Sequence, residues 1–178
     1  MELTTPRLLL REFRTSDHAA VHAFAGDPEV TRYTDWGPNS LHDTTTFLTE
    51  VARDARDLHR CRITLAVVER EHDMLIGSIE LRTTSASHQR GEMGYVVHHH
   101  WWGRGYASEA ARALLRWGHH ELGLHKISAT CDPDNAASAR VLTKIGMRRE
   151  GHLREHLYVR GQWRDRLLYA ALARLCGN

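Results

Sequence analysis

The sequence predicts a mixed α+β fold in one domain, and three observations carry that reading. Apolar residues alternate in mid-chain, at Ile63, Leu65 and Val67 and again at Leu75, Gly77, Ile79 and Leu81, which is the period-two signature of strands. The period then turns helical: Ala107, Ala110, Ala111, Leu114, Trp117 and Leu122 share one stripe, with Glu109, Arg112, Arg116 and His120 off it. Strand-like stretches lead into and out of two such helices, an order that is neither all-α nor all-β. A chain of 178 residues suits a single domain, 1–178, and 42% apolar with 26% charged residues is a globular composition.

In chain order, RLLLREF is a short apolar strand, and Thr15-Ser16-Asp17 supply caps for a helix through Phe24 that Asp27-Pro28 breaks. Trp36-Gly37-Pro38-Asn39-Ser40 is a turn cluster. LHDTTTFLTEVARDARDLH then has helical spacing through Phe47, Leu48, Val51, Ala55 and Leu58. After the two alternating strands, the loop TTSASHQRG leads to GEMGYVVHH as a hairpin partner. The helix from Ala107 opens on alanines, which let its first turns approach a sheet closely. Lys126 to Cys131 is a further strand closing on Asp132-Pro133-Asp134-Asn135, and the helix NAASARVLTKIG ends at Gly146 as its C-cap. Two strands, 147–158 and 164–172, turn near Arg160-Gly161.

Charge and cysteine usage exclude several function classes. A formal net charge of +2 gives a nucleic-acid partner little support, and the basic clusters RRE and RGQWRDR read as a solvated face because acidic residues interrupt them. Cys61, Cys131 and Cys176 are distant and odd in number, so neither a disulfide framework nor a zinc ribbon is expected. No window reaches the roughly 18 uninterrupted apolar residues of a membrane span. The opening MELTTPRLLLREF is charged early and has no signal core, so a soluble, cytoplasmic protein without a membrane partner is expected.

The chemistry concentrates at HWWGRGYA, residues 100–107. A helix N-terminus presents unpaired N–H groups and the positive end of the dipole, and glycines there clear the way for a phosphate. Gly103-Arg104-Gly105 ahead of a helix is therefore a pyrophosphate cradle or a tight structural turn. A dinucleotide fingerprint is excluded because Ser108 stands where its third glycine belongs, and no Gly-Lys-Ser/Thr follows to make a P-loop.

Two further blocks supply a resemblance. His100-Trp101-Trp102-Gly103-Arg104-Gly105, followed by Asn135-x-x-Ser138-x-Arg140-x-Leu142-x-Lys144-x-Gly146-Met147, resembles the GNAT superfamily of acetyl-CoA-dependent N-acetyltransferases. His100 stands where that family usually has Arg or Gln. With GEMGYVVHHHWWGRGYASEA and REHLYVRGQWRDRLLYA, the likeness narrows to the Rim-type branch, which acetylates ribosomal-protein N-termini among other amines. The resemblance implies a central, mostly antiparallel sheet splayed open in a V after the hairpin strand and flanked by helices, with the pantetheine arm of acetyl-CoA in the gap.

It also implies roles. Backbone of Val96, Val97 and His98 would pair with the pantetheine amides, and Gly103, Arg104, Gly105, Tyr106, Ala107 and Ser108 would hold the diphosphate. Ser138 replaces the family's usual Tyr acid, which is Leu142 here; Asn135 would orient the cofactor or cap its helix, and Lys144 would face a phosphate or solvent. For the base, Glu80 and Glu92 fall near one level if their strands pair, though either can be a plain ion-paired strand residue. Trp36, Tyr158 and Trp163 line an acceptor pocket or pack in a hairpin. His98-His99-His100 is not expected to bind metal, because alternate residues of a strand point to opposite faces. The acceptor is a protein N-terminal α-amine or a small-molecule amine; a homodimer is frequent in such families. The competing reading is a catalytically silent acyl-CoA-binding sensor or scaffold.

Overall fold

The computed structural model describes residues 1–173, so Cys176 lies outside the described residues. Eight strands form one sheet: β1 (Glu2–Thr4), β2 (Leu8–Arg11), β3 (Arg62–Glu69), β4 (Met74–Ser85), β5 (Arg90–Val97), β6 (Lys126–Cys131), β7 (Arg148–Val159) and β8 (Gln162–Leu172). Their order is β1-β2-β3-β4-β5-β6-β8-β7, antiparallel except for β5 against β6. Four helices complete the fold: α1 (His18–Ala25), α2 (Leu41–Arg56), α3 (Tyr106–His120) and α4 (Ala136–Lys144).

Helices cover both faces. On one face, Ala110, Ala111, Leu114 and Leu115 of α3 and Leu142 of α4 pack with Leu81, Met93 and Ile127. The predicted α3 stripe holds up to Trp117; Leu122 falls beyond the helix end and is exposed, while Leu115 joins the core instead. Helix and sheet approach closely at Gly118, where a Cβ would come within 2.5 Å of Leu81 Cδ2 and 2.8 Å of Ile127 Cδ1. Each fully buried Leu here contributes roughly 1.5–3 kcal/mol relative to exposure. The opposite face carries a smaller core, in which Val21, Phe24 and Ala25 of α1 meet Phe47 and Leu48 of α2 and Leu75 and Val96 of the sheet.

Caps and turns follow the sequence. Ser40 accepts from the Asp43 amide and the Asp43 carboxylate reaches back to the Ser40 amide, a capping box that starts α2. Gly146 stands at φ +95 after α4, with its N–H on the Thr143 carbonyl, as a helix-ending glycine should. The two residues between β7 and β8, Arg160 and Gly161, both have positive φ, the requirement of a two-residue hairpin turn.

Two expectations need correction. The hairpin strand stops at Val97, and His99–Trp101 form a 3₁₀ turn, because the glycine-rich segment must fold back toward α3. The RGQWRDR cluster is exposed over 160–163, but its arginines are not simply solvated. Arg160 donates to the carbonyls of Thr31, Thr34, Trp36 and Gly37 at 2.7–3.1 Å, and Arg166 is buried, donating to the Tyr33 carbonyl at 3.2 Å. These arginines pin the segment between α1 and α2 to the tail hairpin. The RRE stretch is exposed, as expected.

Two strand glycines allow a direct stability test. A Cβ on Gly77 would lie 2.1 Å from the Val96 carbonyl oxygen, whereas one on Gly94 meets nothing within 4 Å. Gly77→Ala is expected to destabilise the fold by about 2 kcal/mol, the range of overpacking, and Gly94→Ala to leave it nearly unchanged. Paired urea-unfolding curves of the two variants check this.

Candidate active site

The sheet parts at its single parallel pair. β5 and β6 are in register only at Arg90↔Lys126, Gly91↔Ile127 and Glu92↔Ser128. Beyond that point β5 continues to Val97 with nothing paired along its β6 side. Which backbone groups face the gap follows from the antiparallel alternation. The His98 N–H donates to the Ile76 carbonyl at 2.8 Å, and the register then turns Val96, like His98, toward β4. Met93, Tyr95 and Val97 direct their N–H and C=O groups to the gap. Trp102 Nε1 donates to the Val97 carbonyl at 2.6 Å, so at Val97 only the N–H stays uncommitted. Of the three residues expected to offer backbone here, Val97 does so, Val96 and His98 do not, and Tyr95 takes their place.

The gap widens into a cleft of about 1440 Å³ that crosses the sheet. Its lining includes Val96, Val97, Gly103, Gly105, Tyr106, Ala107, Ser108, Asn135, Ser138 and Lys144, together with Glu80 and Glu92. His98 and Arg104 are not part of it. The Arg104 guanidinium instead lies 5.2 Å from the Trp101 ring, because the loop turns it outward.

At the α3 end, Gly105 is the N-cap, with φ +82 in the left-handed region, and Gly103 has φ +74. No side chain caps this helix. The first intrahelical bond there is the Glu109 N–H to the Gly105 carbonyl, at 3.0 Å. The amides of Tyr106, Ala107 and Ser108 are the helix's orphan donors, aligned with the positive end of the dipole. Arg7 holds the loop in place: it donates to the Arg104 carbonyl at 3.0 Å and to Glu109 Oε2 at 2.7 Å, and stacks 4.5 Å from the Tyr106 ring. Burial pushes the Glu109 carboxyl up, but hydrogen bonds from Thr5 and Arg7 hold it below the usual range. Glu109 therefore stays ionised, and Arg7 pairs its charge, which would otherwise oppose an anion at this helix end. Sequence reasoning missed Arg7, whose partners lie about a hundred residues away.

At the other end of the gap, Ser138 stands in the first turn of α4, its N–H on Asn135 Oδ1 at 3.0 Å. Asn135 is therefore the helix cap, with its NH₂ uncommitted. Lys144 engages through its carbonyl, which accepts from Arg112 at 2.8 Å and staples α4 to α3. Tyr95 Oη lies 2.9 Å from Ser138 Oγ, joining β5 to α4 across the gap. Burial pushes the Tyr95 phenol above its usual range, so it remains protonated at neutral pH. The YVV run carried this residue in plain view, but its partner on α4 could be found only in three dimensions.

Glu80 and Glu92 share one face of the sheet but not one level. Glu80 sits opposite Gly94, and Glu92 opposite Arg82. Arg82 donates to Glu92 Oε2 at 3.0 Å, making Glu92 a partly exposed ion pair. Glu80 is half-buried, accepts from Thr64 Oγ1 at 3.0 Å, and faces the space that Gly94 leaves free. Trp36 lines the cleft on the α1–α2 side, while Tyr158 and Trp163 pack on each other at 5.2 Å on the exposed hairpin.

Comparison with known proteins settles the family. The acetyltransferase (GNAT) domain family matches residues 7–148. The chain belongs to this family. It is 38% identical over 172 residues, 97% of either chain, to the uncharacterised N-acetyltransferase YnaD of Bacillus subtilis. The crystal structure of a GNAT-family acetyltransferase from Bacillus anthracis matches with a TM-score of 0.87 at 34% identity, over 98% of this chain and 99% of that one. RimJ of Mycobacterium smegmatis, in complex with CoA-disulfide, matches with a TM-score of 0.83 at 26% identity, over 94% and 82% of the two chains. The protein is a GNAT-family N-acetyltransferase that uses acetyl-CoA. The uncapped α3 terminus, the left-handed glycines and the unpaired β5 backbone fit such a ligand.

A side chain at Gly105 would have to adopt φ +82, at a cost of roughly 1–3 kcal/mol, or turn the cradle amides aside. Gly105→Val is expected to weaken coenzyme A binding at least about tenfold while the chain still folds, with a melting temperature lower by roughly 2–12 °C. Isothermal titration with coenzyme A checks this, and unaltered affinity would remove the cradle from the account.

Proposed function

We propose that this acetyltransferase moves the acetyl group to a primary amine by direct attack while both substrates are bound. The acceptor is a protein N-terminal α-amine or a small-molecule amine. The observation that carries the reading is the parted sheet: uncommitted donors line β5, Tyr95 and Ser138 meet on the α3–α4 side, and Glu80 faces the α1–α2 side.

When bound, acetyl-CoA supplies a thioester-activated acetyl group. Tyr106, Ala107 and Ser108 would hold the diphosphate through their amides, assisted by the α3 dipole. The backbone of Tyr95 would pair with the amides of the pantetheine arm, and the free Val97 N–H would face the carbonyl oxygen as a donor. Ser138 Oγ would hold a proton toward the sulfur, and the Tyr95 phenol, which burial keeps protonated, would orient that hydroxyl. Asn135 fixes Ser138 by capping its helix. Glu80 takes the amine's proton through water in the space left by Gly94, while Arg82 keeps Glu92 as a charge at the rim. Glu29, Asp35 and Asp43 line the α1–α2 mouth with no ion-pair partner among the described residues, whereas Glu50 lies 3.8 Å from Arg62; the three are carboxylates suited to meet an ammonium group.

The deciding experiment follows thiol release from acetyl-CoA over a panel of small amines and peptides with free N-termini. Turnover on at least one of them is expected; saturable coenzyme A binding with turnover on none would favour a silent binding module. On the best acceptor, Glu80→Gln and Ser138→Ala are each expected to lower kcat about a hundredfold with coenzyme A affinity nearly intact. Tyr95→Phe should cost about tenfold and add little to Ser138→Ala, since Tyr95 acts by orienting the Ser138 hydroxyl. Full additivity would separate Tyr95 from Ser138.

A further inference from the structure

The turn between β5 and the glycine loop contains a feature the acetyl-transfer reading leaves unused. Were His98, His99 and His100 strand residues, their side chains would alternate between faces. The strand ends at Val97, however, and the 3₁₀ turn over His99–Trp101 gathers the three rings on one side. Ring centroids are 4.6 Å apart for His98–His99, 4.1 Å for His99–His100 and 4.9 Å for His98–His100. One nitrogen from each ring lies within 4.8 Å of the other two.

We propose that His98, His99 and His100 bind one divalent transition-metal ion of the zinc class. Three imidazoles with a fourth position left to water are a recurrent zinc donor set, and imidazole also suits nickel and copper. One ring already has the carboxylate that would orient it. His99 Nδ1 lies 2.5 Å from Asp27 Oδ2, a carboxylate that can only accept while it is ionised. The ring proton is thereby held on Nδ1, and the Nε2 lone pair is left for an ion, the carboxylate–histidine arrangement of metal sites. His100 is exposed and its ring nitrogens have no partner among the described residues. His98 joins by giving up the 3.2 Å contact that its Nδ1 accepts from the His100 amide. Convergence to a tetrahedral ion needs only rotation of rings at the surface.

None of the three histidines lines the catalytic cleft. The ion is therefore a clamp, not a reactant. Asp27 follows α1, on the acceptor side, while the histidines join β5 to the glycine loop, on the cofactor side. Metal at this point ties the two walls of the cleft together. The other grouping of donors, Glu69, Glu71 and His72, is a weaker candidate, because the buried Glu69 carboxylate is already occupied by the Glu71 and His72 amides and the His72 ring.

The test is titration of the full-length protein with Zn²⁺ and, as a spectroscopic stand-in, Co²⁺. One equivalent is expected to bind, with intense visible Co²⁺ bands of low coordination number and a raised melting temperature in Zn²⁺. The double variant His99→Ala/His100→Ala should lose the bands. Asp27→Asn should weaken Zn²⁺ affinity about 10- to 100-fold, and His72→Ala should change nothing. Bands of octahedral aquo-cobalt only, binding that survives the double variant, or binding lost in His72→Ala would each overturn the proposal. If the double variant does not fold, Asp27→Asn decides: undiminished affinity there removes the site.

Discussion

The architecture turns on the parting of β5 from β6. Only three residue pairs hold these strands together, and every later backbone group on that side of β5 is left without a strand partner. Unpaired buried amides cost roughly 1–3 kcal/mol each, so a sheet closes such a gap unless something keeps it open and lets solvent or a ligand in. Here α4 supplies the wedge. Asn135 caps it, Leu142 buries it against the core, and Ser138 meets Tyr95 across the opening. Asp132, just before α4, is buried and accepts from Arg164 at 2.8 Å and from Arg166 at 3.5 Å, which fixes where the wedge begins. The place where the sheet's own hydrogen bonding fails is the place where the chain can bind an extended, amide-bearing molecule.

The walls of the cleft depend on anchors that are remote in sequence. Arg7 secures the glycine loop from the first strands and Arg160 secures the α1–α2 segment from the last hairpin, while close at hand Trp102 secures the end of β5 through the Val97 carbonyl. Each anchor donates to backbone carbonyls. Loops without regular structure leave those carbonyls unsatisfied, and a guanidinium with five N–H donors satisfies several at once. Arg160 does so for four residues. This arrangement makes irregular segments precise enough to bound a catalytic site, and it explains why the arginines of RGQWRDR are placed on a hairpin rather than spread over solvent.

Much of the fold was legible in the sequence because it rests on local periodicity. The α3 stripe, the alternation along β3 and β4, the turn cluster ending at Ser40 and the helix-ending Gly146 each involve residues a few positions apart. The uncapped start of α3 was legible for the same reason, since Gly103, Gly105 and the amides after them lie within one turn. Less was readable at the ends of elements. β5 was expected to run on through its histidines, and the turn that begins at His99 removed His98 from the cleft and gathered three imidazoles that strand geometry would have dispersed. The choice between Glu80 and Glu92 was likewise not local. It depends on which residue stands across the strand pair, Gly94 for one and Arg82 for the other.

The sequence by itself determined the mixed fold, the family and the pair of motifs that face each other across the splayed sheet, because those rest on spacing along one chain. Tertiary structure alone decided which groups are free to act. Tyr95 is tied to Ser138 because α4 brings the serine to its hydroxyl. Val97, not Val96, offers an N–H to the gap because strand register turns it that way. Glu92 is held in an ion pair because Arg82 reaches it. Each is a matter of which partner a polar group finds once the chain is folded, and partners far apart in sequence leave no periodic trace in it.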